Sequence, residues 1–149
     1  MKKIQVFSFL LIFSLLLMGC QAVSDVKNGI EYVPKATDFV NEVQTFANEV
    51  PALAEKAVSD KNAAADLEQK LNDMKSDIND FNDLTPPSMF EDIHSQVIEH
   101  NQSFEKGIDT YLENVKNGEI SPDLLKQTGL TDEIAQYTDL LDQIKKIGE

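Results

Sequence analysis

The chain has 149 residues, enough for one domain and too few for two, with 42% hydrophobic and 26% charged residues, one cysteine and no tryptophan. Its 26 acidic residues face 13 basic ones, all lysine, and the net charge of −13 excludes a basic groove for nucleic acid, whose affinity comes largely from neutralising phosphates. A single cysteine excludes an internal disulfide and any CxxC metal or redox pair.

Met1-Lys2-Lys3 opens the chain on positive charge, and the run from Ile4 to Met18, interrupted by Gln5, Ser8 and Ser14, is apolar up to Gly19-Cys20. This is the layout of an export signal over residues 1–19. As a helix, the sixteen residues between Lys3 and Cys20 span roughly 24 Å, short of the ~30 Å hydrocarbon core, which disfavours a permanent spanning segment. Leu17-Met18-Gly19-Cys20 resembles the lipobox of bacterial lipoproteins. The resemblance implies diacylglyceryl transfer to the Cys20 sulfur, cleavage between Gly19 and Cys20, and fatty acylation, such as palmitate, of the new amino terminus. The alternatives are an ordinary signal peptide with an incidental cysteine, or an uncleaved anchor. Both leave an unpaired thiol in an exported chain, a liability that lipidation removes.

Two or more acyl chains give durable attachment where a single chain is marginal. The expected setting is therefore the extracytoplasmic face of the cell membrane, with covalent lipid on Cys20 and no other cofactor. Cleavage takes away two lysines and no acid, so the remaining 130 residues carry −15. Anionic headgroups repel such a domain, which should stand off the bilayer.

Residues 20–35 read either as a tether or as a short helix, since Val23, Val26, Ile30 and Val33 follow 3-4-3 spacing. The helical domain is expected over 36–149. In its first helix, about 36–58, Phe39, Val43, Phe46, Val50, Leu53 and Ala57 form one stripe; Pro51 predicts a kink or a break, and the unbroken stripe favours the kink. Ser59-Asp60 offers caps for a second helix with the stripe Ala64, Leu67, Leu71, Met74, Ile78 and Phe81, ended by Leu84-Thr85-Pro86-Pro87.

Ser88-Met89-Phe90-Glu91 has the form of a capping box, placing the start of a third helix there. That helix carries Phe90, Ile93, Val97, Phe104, Ile108, Tyr111 and Val115 to a stop at Asn117-Gly118. Gly107, costly in mid-helix, marks close approach of a neighbour. Ser121-Pro122 is a cap with proline at the first helical position, and Leu130, Ile134, Tyr137, Leu141 and Ile144 form the last stripe, over about 131–146 after Gly129. Lys145 and Lys146 suit its negative end. Four amphipathic helices with short connectors predict an all-α, antiparallel up-down-up-down bundle. A coiled-coil oligomer is the architectural alternative, because several stripes keep heptad spacing.

Chemistry-bearing constellations are few. His94 and His100, six residues apart, point about 240° apart on a helix and cannot share a metal. Each borders the stripe near Val97 and Asn101, which reads as boundary histidines; haem ligation with Met74 or Met89 is disfavoured, since there is no CxxCH and both methionines occupy core-like positions. Asp73, Asp77, Asp80 and Asp83 step by 4, 3 and 3 along one helical face, and the last two stand at its negative end. They form either a solvated acidic face or a weak cation face, helped across the turn by Glu91 or Asp92. The run is not an EF-hand, because Phe81 takes the third ligand position and Asn82 replaces the required glycine. There is no phosphate-binding glycine loop, GxSxG or HExxH, and no arginine for anion recognition.

The stretches from Gly29 to Glu42 (GIEYVPKATDFVNE), Phe46 to Asp60 (FANEVPALAEKAVSD), Phe81 to Pro87 (FNDLTPP) and Gly107 to Asn114 (GIDTYLEN) resemble a group of small uncharacterised lipoproteins of Bacillus-type bacteria, classed as a domain of unknown function. The resemblance covers the whole mature chain. It implies a Gram-positive cell-surface setting and carries over no catalytic or binding residue. The expectation is a non-enzymatic, lipid-anchored bundle with protein partners in the envelope and no nucleic acid. The alternative is a lipoprotein that binds a small molecule or divalent cation.

Overall fold

The computed structural model describes residues 19–148, and side chains from Glu31 onward apart from some positions after Tyr137. The expected signal segment therefore lies outside the described residues, except for Gly19. All regular structure among the described residues is helical: α1 (Gly19–Ala57), α2 (Lys61–Asn82), a single 3₁₀ turn (Ser88–Phe90), α3 (Glu91–Lys116), α4 (Pro122–Gln127) and α5 (Leu130–Gly148). The four long helices pack in a ring, α1 on α2, α2 on α3, α3 on α5 and α5 back on α1.

Pairings along each contact run in opposite directions. Glu49 meets Lys70 while Phe39 meets Phe81; Lys75 meets Asp109 while Phe81 meets His94. Gly107 lies against Leu130, and His100 against Glu133 and Tyr137. This is the predicted antiparallel bundle. Its core takes all five phenylalanines downstream of Cys20, together with Val43, Val50, Leu67, Leu71, Met74, Ile78, Val97, Ile108 and Tyr111. Removing a core ring such as Phe104 would cost about 3–5 kcal/mol.

Local chemistry sets the boundaries. Asp60 caps α2 by accepting the Asn62 amide at 2.8 Å, and Ser121 caps α4 by accepting the Asp123 amide at 3.1 Å, with Pro122 at the first position. Gly118 and Gly129 have φ of 83° and 79°, the left-handed conformation that glycine adopts without a Cβ clash. Gly107 makes the expected close approach: a Cβ there would sit 2.9 Å from the Thr128 carbonyl oxygen and 3.0 Å from Leu130 Cδ2.

Several expectations are corrected. The first helix runs unbroken from Gly19 through both Pro34 and Pro51, taking in the whole of the segment read as tether or short helix. Both prolines are exposed, so each ring and its missing N–H fall on the solvent side while the buried stripe stays continuous. Tyr32 and Ala36 are already core residues, so the bundle begins before residue 36. Serine 88 opens a 3₁₀ turn, and α-helix starts only at Glu91. On α2 the buried alanine is Ala63, with Ala64 half-buried beside it. Met89 is 65% exposed and not a core residue. The last helix begins at Leu130, and the Ser121 cap serves the separate one-and-a-half-turn helix α4.

Candidate functional site

Among the described residues, polar chemistry gathers in an acidic groove between α1 and α2 and in buried polar contacts that α3 makes with its neighbours. Helix α2 carries the four predicted aspartates on one side. Asp77, Asp80 and Asp83 line a cavity of about 600 Å³ between α1 and α2, floored by Phe39, Phe81 and Leu84 and completed from α1 by Lys35, Asp38 and Glu42. Asp73 lies one turn further on, in a smaller adjoining depression with Glu42, Lys70 and Asp77. Glu91 and Asp92 do not line this cavity and stand exposed at the start of α3.

The sequence located the α2 half of the groove and missed Asp38 and Glu42, whose place opposite Asp77 depends on how α1 docks. Asp77 is half-buried, and its carboxyl is pushed above the usual range by burial and then by the charges of Glu42, Asp73 and Asp80. Among the described residues, no three His, Cys, Asp or Glu side chains converge to hold a metal ion. The carboxylates line a surface instead of surrounding a point.

The two histidines part company. His100 is half-buried at the α3–α5 contact, its Nδ1 3.1 Å from Glu133 Oε2. His94 is not a boundary residue: it is 5% exposed, its Nδ1 3.2 Å from the Tyr32 hydroxyl, its ring against Phe81 at 4.9 Å and Tyr32 at 5.5 Å. Burial alone lowers its pKa. Seven residues along α3, Asn101 is wholly buried. It accepts from the Tyr137 hydroxyl and donates through Nδ2 to Asn82 Oδ1 at 2.6 Å. The spacing held this signal. Phe90, His94, Val97, Asn101, Phe104, Ile108 and Tyr111 form an unbroken 4-3-4-3-4-3 stripe, with two polar residues at core positions.

Gly19 and Cys20 fall in the first turn of α1, and the Cys20 side chain is outside the described ones. No helix among the described residues is long and apolar enough to cross a membrane.

An antiparallel helical bundle with a polar-studded third helix and an acidic flank defines a small all-α domain. The chain belongs to a family of unknown function, DUF6376, whose model matches residues 32–147. That match starts at Tyr32, the first core residue among the described side chains. A curated relative, "Uncharacterized lipoprotein YybP" of Bacillus subtilis (strain 168), is 39% identical over 131 residues, covering 88% of each chain. No solved structure matches the chain.

Proposed function

We propose that this protein is a lipoprotein held by acyl chains on Cys20 at the outer face of the cytoplasmic membrane, where its bundle binds other envelope components without catalysing a reaction. The observation that carries the reading is Leu17-Met18-Gly19-Cys20 behind a short basic and apolar leader. The similar Bacillus chain, which bears the name lipoprotein, supports it. The non-catalytic part rests on the sequence, which offers no recognisable nucleophile, phosphate loop or metal-ligand spacing.

The geometry of α1 suits this role. Thirteen residues of the same helix, Gly19–Glu31, precede Tyr32, the first buried residue among the described side chains, and span roughly 20 Å. A helical stalk of that length keeps a domain of strong negative charge away from anionic headgroups, beyond a Debye length of about 8 Å at physiological salt.

Metabolic labelling with a fatty acid, followed by membrane fractionation, tests the anchor: Cys20→Ala should abolish label and release the chain from the membrane. Retention of both would overturn it. Crosslinking in intact cells tests the interaction role, a specific protein partner lost in Cys20→Ala being the expected result. The carboxylate-rimmed cavity between α1 and α2 favours one second reading, a cationic ligand. Thermal stabilisation by a divalent cation or small cation, lost in Asp77→Asn, would select it.

A further inference from the structure

We propose that Tyr32 and His94 form an acid-released latch that holds the outer part of α1 against α2 and α3. Tyr32 is the first buried residue of α1 among the described side chains, and the helix continues from it toward the amino terminus. Its ring is gripped by Phe81 of α2 at 6.4 Å, Phe90 of the 3₁₀ turn at 5.2 Å and His94 of α3 at 5.5 Å. Three elements thus close on α1 at a single side chain.

The hydrogen bond at the centre of this cage has one workable direction. The Tyr32 hydroxyl and His94 Nδ1 are each other's partners, and no buried side-chain polar atom among the described residues is left unsatisfied. Burial pushes the Tyr32 phenol up to about 12, so it remains an O–H donor throughout the physiological range. Among the described residues the phenolic proton has no other recorded acceptor than His94 Nδ1, so the neutral pair places the ring proton of His94 on Nε2. Protonation puts a proton on Nδ1 as well. The imidazolium then donates toward the phenol oxygen, and the phenolic proton loses its acceptor in a place that is 1% exposed. A buried charge and an orphaned hydroxyl both become satisfied only when water enters, which requires Tyr32 to lift from the cage.

Among the described residues the recorded partners of His94 are uncharged, and the charges nearest Tyr32, on Glu31, Lys35 and Asp83, line a small cavity beside it. On α1, Glu31 and Lys35 are exposed; on α2, Asp80 and Asp83 are exposed; on α3, Glu91 is exposed; on α5, Glu133 is engaged by His100 and Lys146 is exposed. Among the described residues the rings recorded against the pair are Phe81 and Phe90, and aromatic faces recover only part of the desolvation cost of a buried cation. Below pH 6.5, the usual histidine value, the released state gains up to about tenfold in relative population for each pH unit until the folded-state pKa is reached. The rest of the bundle, held by the Phe46–Phe104–Tyr137 contacts, stays closed, and the segment Gly19–Glu31 is freed to change its angle to it.

Hydrogen exchange by mass spectrometry on the full chain at pH 7.5 and 5.0, corrected for intrinsic rates, reads this directly. Peptides covering 31–40 should lose protection at pH 5.0, by up to about thirtyfold over the 1.5 units below 6.5, while peptides covering 61–80 keep theirs, and His94→Gln should abolish the step. Equal protection at both pH values, a loss shared equally by 61–80, or an unchanged step in His94→Gln would overturn the proposal. Should the variant not fold, an NMR titration of the wild-type rings decides. The Tyr32 ring signals should move with the His94 midpoint and not with that of His100; a His94 titration that leaves Tyr32 unmoved would overturn it.

Discussion

Tyr32 from α1 and Tyr137 from α5 each bring a hydroxyl into the core and offer it to α3, at positions 94 and 101, seven residues and two turns apart. The two contacts share a donor type and a helix face but differ in acceptor. Asn101 has a second partner, Asn82, and no titratable proton, so its network is complete at any pH at which the bundle is folded. His94 has one recorded hydrogen-bond partner among the described residues and an ionisable ring. One site fixes how α3, α5 and the end of α2 meet; the other makes the hold on α1 conditional. A polar core position stabilises a fold without conditions only when its hydrogen-bonding capacity is matched and its charge cannot change.

The largest effect should come from breaking the unconditional site. Asn101→Ala leaves the Tyr137 hydroxyl without an acceptor in a fully buried place and strands the half-buried Asn82 amide. With roughly 1–3 kcal/mol for each unsatisfied buried group, a loss of about 2–4 kcal/mol is expected. Denaturant unfolding should show the same loss at pH 7.5 and pH 5.5. A loss that grew on acidification would mean the two tyrosine contacts are not separate.

Gly107→Ala comes next and tests whether the α3–α5 crossing sets the Tyr137 contact. Alanine gains about 1 kcal/mol of helix propensity, but its Cβ would lie 2.9 Å from the Thr128 carbonyl oxygen, a backbone atom that cannot swing aside. Overpacking of this kind costs about 1–3 kcal/mol, so net destabilisation is expected by thermal melting. Net stabilisation would show that α5 shifts freely, and with it the geometry at Asn101.

The conditional site should show itself in the pH dependence of stability. The folded-state pKa of His94 lies below its unfolded value of 6.5, so the fold prefers the neutral ring. The contribution is complete above 6.5 and declines as pH falls through the folded value. In His94→Gln that decline should vanish, with a lower stability at pH 7.5 because a flexible amide replaces a packed ring. Unfolding curves at half-unit steps from pH 7.5 to 5.0 provide the comparison, and parallel profiles for the two proteins would refute the assignment.

How much of this was legible beforehand follows from what each signal depends on. Helical period, the caps at Asp60 and Ser121, the glycine stops at Gly118 and Gly129 and the crowding at Gly107 are local, so residue spacing sufficed for them. The outright break that Pro51 left open does not occur, because a proline rule contains no information about which side of the helix faces solvent. His94 and Asn101 were assigned to the edge of the stripe because polar residues are ordinarily exposed. The run of threes and fours from Phe90 to Tyr111 nevertheless put both at core positions, where the tyrosine partners arrive only through tertiary packing. Half of the acidic groove was readable on α2; Asp38 and Glu42 joined it only once α1 had docked.

That groove supplies the smallest predicted effect and the sharpest contrast in sign. Asp77 has its folded-state pKa raised, by burial first and then by Glu42, Asp73 and Asp80, so the fold prefers it protonated. Its contribution is favourable at low pH and is lost as pH rises through the folded value, the reverse of His94. At neutral pH the full repulsion is present. Asp77→Asn should therefore stabilise the protein at pH 7.5 by about 0.5 kcal/mol, the scale of like-charge pairs three and four residues apart on a helix. The gain should shrink in molar salt, where the Debye length falls to about 3 Å, and disappear below pH 4. Acidification thus relaxes the α1–α2 flank at Asp77 while it loosens the same helix pair at Tyr32. A double variant, Asp77→Asn with His94→Gln, should show additive changes at pH 7.5, because the two sites share no hydrogen-bond partner. Non-additivity above about 0.5 kcal/mol would mean that the groove and the latch move as one unit.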